Sequence, residues 1–239
     1  MSFTAILFLL VFIVGCILAL TKRPLFGLYT YIFTFYFNPP GKWWGAQLPD
    51  IGWVFLIAVV TIVAIILKKS EDKLIFLKYT ENKLFLLFVL WVQIQYFFAL
   101  SSGAHLFYMV LSIKFYLTIF IIQNTIKNYR DVITFIVINI LCTGYFGLQA
   151  MGGGRLDHIK VPALDDSNAL AMHFAAILVM ASFLFLGPVK KKIFLLAPFI
   201  GLTLNAVILA QSRGAMIALL IVGIAAIFVM TKAGKRKFY

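Results

Sequence analysis

Long uncharged apolar stretches alternate with short polar ones along the whole chain. Nine stand out: 3–20, 24–37, 51–67, 84–100, 106–126, 132–148, 167–186, 193–210 and 215–230. A helix rises 1.5 Å per residue and a bilayer's hydrocarbon core is ~30 Å thick, so each predicts a membrane-spanning helix. The stretch 24–37 is the shortest, about 21 Å of helix, and reads either as a short crossing or as a re-entrant segment. The pattern predicts an all-α fold: one polytopic bundle of about nine spans over residues 1–239, with no internal repeat.

Basic residues decide between the two readings of 24–37. With nine crossings and the N-terminus outside, the inner segments hold Lys22 and Arg23; Lys68, Lys69, Lys73, Lys78 and Lys83; Lys127 and Arg130; Lys190, Lys191 and Lys192; and Lys232, Lys235, Arg236 and Lys237. Those are sixteen of the 21 basic residues, the asymmetry expected of cytoplasmic loops. A returning 24–37 would move alternate clusters outside, so it is taken as a crossing and the C-terminus as cytoplasmic. The first stretch has no basic residue before it and Lys22-Arg23 behind it, the reverse of a secretory signal peptide. The apolar run 74–77, between Lys73 and Lys78, is expected to lie in the interface.

Composition agrees. Of 239 residues, 63% are hydrophobic and 12% charged, against about 45–50% and 25% in ordinary soluble domains. A formal charge of +13 would point to nucleic acid if it formed one solvated patch. Divided among short clusters between spans, it points instead to membrane topology, and no nucleic-acid partner is expected. Cys16 and Cys142 sit singly inside apolar runs, and no metal-ligand spacing or cofactor motif is present.

Polar residues worth chemistry gather in the outer loops. Arg213 stands in Gln211-Ser212-Arg213-Gly214, between two spans, with Ser212 placed to cap the last helix. A guanidinium beside an outward-facing helix N-terminus suits a phosphate; an arginine snorkelling to headgroups is the plain alternative. Lys114 interrupts a span about 12 Å from its outer end. An ammonium at that depth needs a polar cavity or a partner, whether functional or a structural ion pair. The longest loop holds Gly152-Gly153-Gly154, Arg155, Asp157, His158, Lys160 and Asp165, then Asp166, Ser167 and Asn168. Arg155 and Lys160 suit an anionic head group; Asp166 suits either a helix cap or a catalytic carboxylate. His158 reads as a solvated loop residue, and His173, inside an apolar helix, as a buried hydrogen-bonded one. Trp43-Trp44 reads as an interfacial aromatic anchor or a surface on which sugars stack.

Three stretches carry a family likeness. They are Arg23-Pro24-Leu25-Phe26-Gly27-Leu28 with Tyr31, Asn38-Pro39, Trp44-Gly45 and Leu48-Pro49; Gly152-Gly153-Gly154-Arg155 with Asp166-Ser167-Asn168-Ala169-Leu170-Ala171; and Ser212-Arg213-Gly214-Ala215. In this order the chain resembles the O-antigen ligase and polymerase superfamily, most closely the exosortase-associated O-glycosylation ligases. The resemblance implies a bacterial inner-membrane enzyme that transfers glycan from an undecaprenyl-pyrophosphate carrier to an acceptor at the outer face. By that likeness Arg213 binds pyrophosphate, Arg155 and Lys114 support it, and Asp166, Asn168 and Ser212 shape the outer pocket.

The family's later spans and its histidine-bearing external loop have no counterpart here, so the likeness covers the N-terminal portion of the pattern. It implies a missing C-terminal half or a glycan-assembly partner, and no catalytic base is identified. Two rival classes remain: a transporter or permease, which would place polar groups near the midplane, and a non-catalytic scaffold subunit of a cell-surface glycan complex.

Overall fold

The computed structural model describes residues 1–40, 42–68, 78–151, 166–184 and 194–233. Within them lie α1 (Phe3–Thr21), α2 (Pro24–Tyr36), α3 (Trp53–Leu67), α4 (Thr80–Gln95), α5 (Ser102–Thr125), α6 (Tyr129–Ala150), α7 (Ser167–Leu184), α8 (Ala197–Leu209) and α9 (Arg213–Ala233), with short 3-10 turns at Gly45–Gln47 and Tyr96–Phe98. No strand occurs among the described residues. Every apolar stretch of the sequence thus contains a helix. Three of them, α1, α5 and α6, are long and apolar enough to cross a membrane. The run 74–77, like the loop from Gly152 to Asp165, lies outside the described residues.

Hydroxyl and amide side chains are accommodated in these apolar helices by bonding to the preceding turn. Thr61 donates to the Ile57 carbonyl at 2.6 Å, Thr125 to Ile121 at 2.7 Å and Asn139 to Phe135 at 2.8 Å, so these three residues enter their helices without an orphaned donor. Pro24 opens α2, where its missing N–H is not needed, and Pro198, the second residue of α8, sits in a first turn for the same reason.

The chain divides into two compact units, each assembled from separated segments: Met1–Ala5, Ile32–Ile51 and Val132–Tyr239 in one, Ile6–Tyr31 and Gly52–Asp131 in the other. In the second, Trp53 of α3 meets Phe8 and Phe12 of α1 edge-on at 5.5 and 5.1 Å. Asn82 and Gln123 exchange amide hydrogen bonds between α4 and α5, the reverse one at 3.1 Å. An ion pair at 2.9 Å joins Arg23, just before α2, to Asp131 in the first turn of α6.

In the first unit a core of Ile136, Ile140, Ile177, Ala181 and Leu184 takes in Leu196, Phe199 and Ile200. The N-terminal half of α6, the C-terminal half of α7 and the start of α8 therefore share one end. Hence α7 runs against α6 and α8, and α6 and α8 run parallel. Two glycines let α6 approach α8. A Cβ on Gly144 would stand 2.7 Å from the Phe199 side chain, and one on Gly147 would overlap the Leu202 carbonyl. Gly147→Ala is expected to lose about 1–3 kcal/mol by forcing those helices apart. Gly201→Ala, where an added Cβ meets nothing within 4 Å, should leave the melting temperature in detergent unchanged.

Candidate functional site

The opposite end of this unit collects the C-termini of α6 and α8 and the N-termini of α7 and α9. The end of α2 joins them, because Tyr36 lies 5.9 Å from the Phe146 ring near the end of α6 and 5.7 Å from the His173 ring near the start of α7. Phe146 and Phe174 complete the cluster at 6.4 Å.

Two helix starts emerge there. Gln211 adopts a left-handed φ of 52° and turns the chain sharply after α8, an unusual conformation for a residue with a side chain. Ser212 follows, buried, its hydroxyl accepting the Ala215 N–H at 3.4 Å and its carbonyl the Met216 N–H at 3.1 Å. It is the N-cap expected from the sequence. Arg213 is the first residue of α9; it is exposed and makes no ion pair among the described residues. At the other start, the Asp166 carbonyl accepts the first helical bond, from Leu170 at 3.0 Å. That makes Asp166 the cap position of α7, with Ser167 buried behind it and Asn168 exposed. Since α7 packs on both α8 and α9, Ser212, Arg213, Asp166 and Asn168 occupy the same end of one unit.

The other two cations of the expected set are placed differently. Arg155 lies outside the described residues. Lys114 belongs to the second unit, exposed on α5. The helix begins at Ser102 rather than at 106, which sets Lys114 about 18 Å along it. Near it in that unit, a groove of about 530 Å³ between α4 and α5 is lined by Phe85, Phe88, Tyr108 and Phe115, with Gln95, His105 and Ser112 as its polar members.

Sequence reasoning missed Lys42. It sits in the loop after α2, half-buried, its ammonium 4.6 Å from the centre of the Phe146 ring. Phe146 is at the end of α6, so Lys42 stands at the same end as Arg213. The loop is compact there: Gly45 lies against the Pro39 carbonyl so closely that a Cβ would overlap it. The tryptophan pair divides within it, Trp44 buried in the core and Trp43 at 77% exposure. Only Trp43 remains available to a membrane interface or a sugar.

Burial pushes the Lys42 ammonium below its ordinary value of 10.5. Between the lowered value and 10.5 the unfolded chain holds a proton that the folded one has released, so stability rises with pH across that window. Lys42→Met should flatten this rise in a series of melting temperatures against pH.

A polar triad lies beneath. The Tyr36 hydroxyl donates to Asn139 Oδ1 at 3.2 Å and contacts His173 Nε2 at 2.7 Å. Two residues earlier on α2, the Thr34 hydroxyl is fully buried and is the one buried side-chain polar atom without a partner among the described residues. Removing an unsatisfied hydroxyl while keeping the branched shape should help, so Thr34→Val is expected to stabilise the protein by about 1 kcal/mol, seen as a higher melting temperature in detergent.

Against models of known families, curated proteins and solved structures, the chain has no match.

Proposed function

We propose that this chain is a bacterial inner-membrane protein of the O-antigen ligase type. It handles an undecaprenyl-pyrophosphate-linked glycan at the outer face, and its function is glycan transfer from that carrier to an acceptor. The apolar helices and the inward bias of the basic clusters support nine crossings. The family likeness of the Arg23, Gly152 and Ser212 stretches supports the chemistry.

One observation carries the reading: an exposed guanidinium at a capped helix start shares an end of the unit with the half-buried ammonium of Lys42. Two cations and the free N–H groups of α9 make a site for a doubly charged phosphate group. Glycosyl transfer from such a donor expels pyrophosphate, and fixed positive charge at the leaving group lowers the barrier. Arg213 binds the pyrophosphate in this reading and Lys42 assists it, in the place the sequence assigned to Lys114. Asp166 and Asn168 shape the pocket rim. Purified protein titrated with a short-chain polyprenyl pyrophosphate tests it: saturable binding that weakens in Arg213→Ala is expected, and binding indifferent to that change removes Arg213 from the site.

A further inference from the structure

Lys114 is left unused by the site above, yet it sets an ammonium in the middle of an apolar helix. That helix, α5, runs from Ser102 to Thr125 and is long and apolar enough to cross a membrane. Lys114 stands about 18 Å from one end of it and about 16 Å from the other. Half of a ~30 Å hydrocarbon core is about 15 Å, and an extended lysine stem reaches only about 6 Å. Snorkelling therefore leaves the charge inside the hydrocarbon, where it needs a partner.

The face of α5 that carries Lys114 changes character at that depth. Ile121 and Thr125, two and three turns further along the same face, are buried. Between them and Lys114, Thr118 shares a hydrogen bond of 3.1 Å with the Tyr31 hydroxyl of α2, and α3 packs on α5. Toward the other end the face is open: Phe107, Val110 and Lys114 are exposed, and a Cβ on Gly103 would meet nothing within 4 Å. A nearby hydroxyl of similar depth is met inside the hairpin instead. Gln93 of α4 donates to Ser112 Oγ at 3.1 Å, and Ser112 donates to the Met109 carbonyl at 2.8 Å. Ser112 stands on the opposite side of α5 from Lys114, so that network does not serve the ammonium.

Nothing in residues 1–239 supplies a counter-charge at mid-span. All eight aspartates and glutamates fall between the nine apolar stretches. Glu81 and Asp131 stand in the first turns of α4 and α6, and Asp131 already holds Arg23. A second copy of the chain would set lysine against lysine on this face, with no acid at matching depth. We propose that the open half of the face, from Phe107 to Lys114, seats a transmembrane helix of a partner protein that carries one aspartate or glutamate near its middle. Its carboxylate meets the Lys114 ammonium, and its apolar side chains cover Phe107 and Val110. This seat needs α5 to cross the membrane and does not depend on the ligase reading.

A defined probe tests it in phosphatidylcholine proteoliposomes: a leucine-rich transmembrane peptide with one central glutamate, against the same peptide with leucine there. Energy transfer from labelled protein to labelled peptide should saturate with the glutamate peptide and show at least about tenfold weaker binding with the leucine one. Lys114→Met should bring the first down to the level of the second. Lys114→Glu should switch the preference to a peptide with a central lysine, which separates charge pairing from a lost fold. Equal binding of the glutamate and leucine peptides, or glutamate binding unchanged by Lys114→Met, overturns the proposal. So does loss of glutamate binding when phosphatidylglycerol is added, which makes a lipid phosphate the occupant. Energy transfer between two copies of the chain that Lys114→Met abolishes makes the occupant a second copy and overturns it too.

Discussion

Arg23→Met should lower stability by about 2 kcal/mol, more than Asp131→Asn does, and the double variant should recover part of the loss. The asymmetry comes from burial. The Arg23 side chain is 48% exposed and that of Asp131 6%. Without its partner, Arg23 is solvated where it stands. Without Arg23, a carboxylate stays buried with, among the described residues, only the Lys127 N–H at 3.2 Å as a remaining donor, and an uncompensated buried charge is the costly case. The exposure of Arg23 keeps the loss below the 3–5 kcal/mol typical of fully buried pairs. Thermal unfolding of the three variants in one detergent measures it; equal losses from both single changes would contradict the assignment.

That ion pair also marks what could be read from the sequence and what could not. Helix positions were legible because an uncharged run of sufficient length has few other uses: α1, α3 and α7 begin within two residues of the expected places. Arg23 was legible only as an inward charge and a family position, since its partner lies 108 residues away. The same distance effect hid Lys42, whose meaning depends on Phe146 packing beneath it. His173 is hydrogen-bonded, as its place in an apolar helix suggested, but nothing near it in sequence shows Tyr36 as the partner. Ser212 as a cap was legible because the signal is local: a serine immediately before an apolar helix. The start of α5 was less legible, because the helix begins four residues before the apolar run, in Ser102-Gly103-Ala104-His105. The division into two units has no linker to announce it, since the chain passes between them more than once.

Arg213→Ala should weaken binding of a short-chain polyprenyl pyrophosphate about ten- to a hundredfold. A charge-assisted hydrogen bond contributes about 1.5–3 kcal/mol, and each 1.4 kcal/mol is a factor of ten in Kd. Arg213→Lys should recover part of the affinity but not all, because an ammonium keeps the charge and lacks the planar fork that engages two phosphate oxygens. Lys42→Met should give a smaller loss, since burial already disfavours the charged ammonium that a phosphate would need. The pattern separates a pyrophosphate site from a headgroup anchor. An arginine that merely snorkels to lipid would bind the analogue no better than a surface lysine, and Arg213→Lys would be silent.

The most direct test is sidedness. In a background with Cys16 and Cys142 replaced by alanine, single cysteines at Gln211 and at Asn128 report opposite ends of the predicted topology. A membrane-impermeant maleimide applied to intact spheroplasts should label the cysteine at 211 at once, and the one at 128 only after permeabilisation. Labelling of position 211 only after permeabilisation would put Arg213 on the cytoplasmic side and contradict an extracytoplasmic pyrophosphate site.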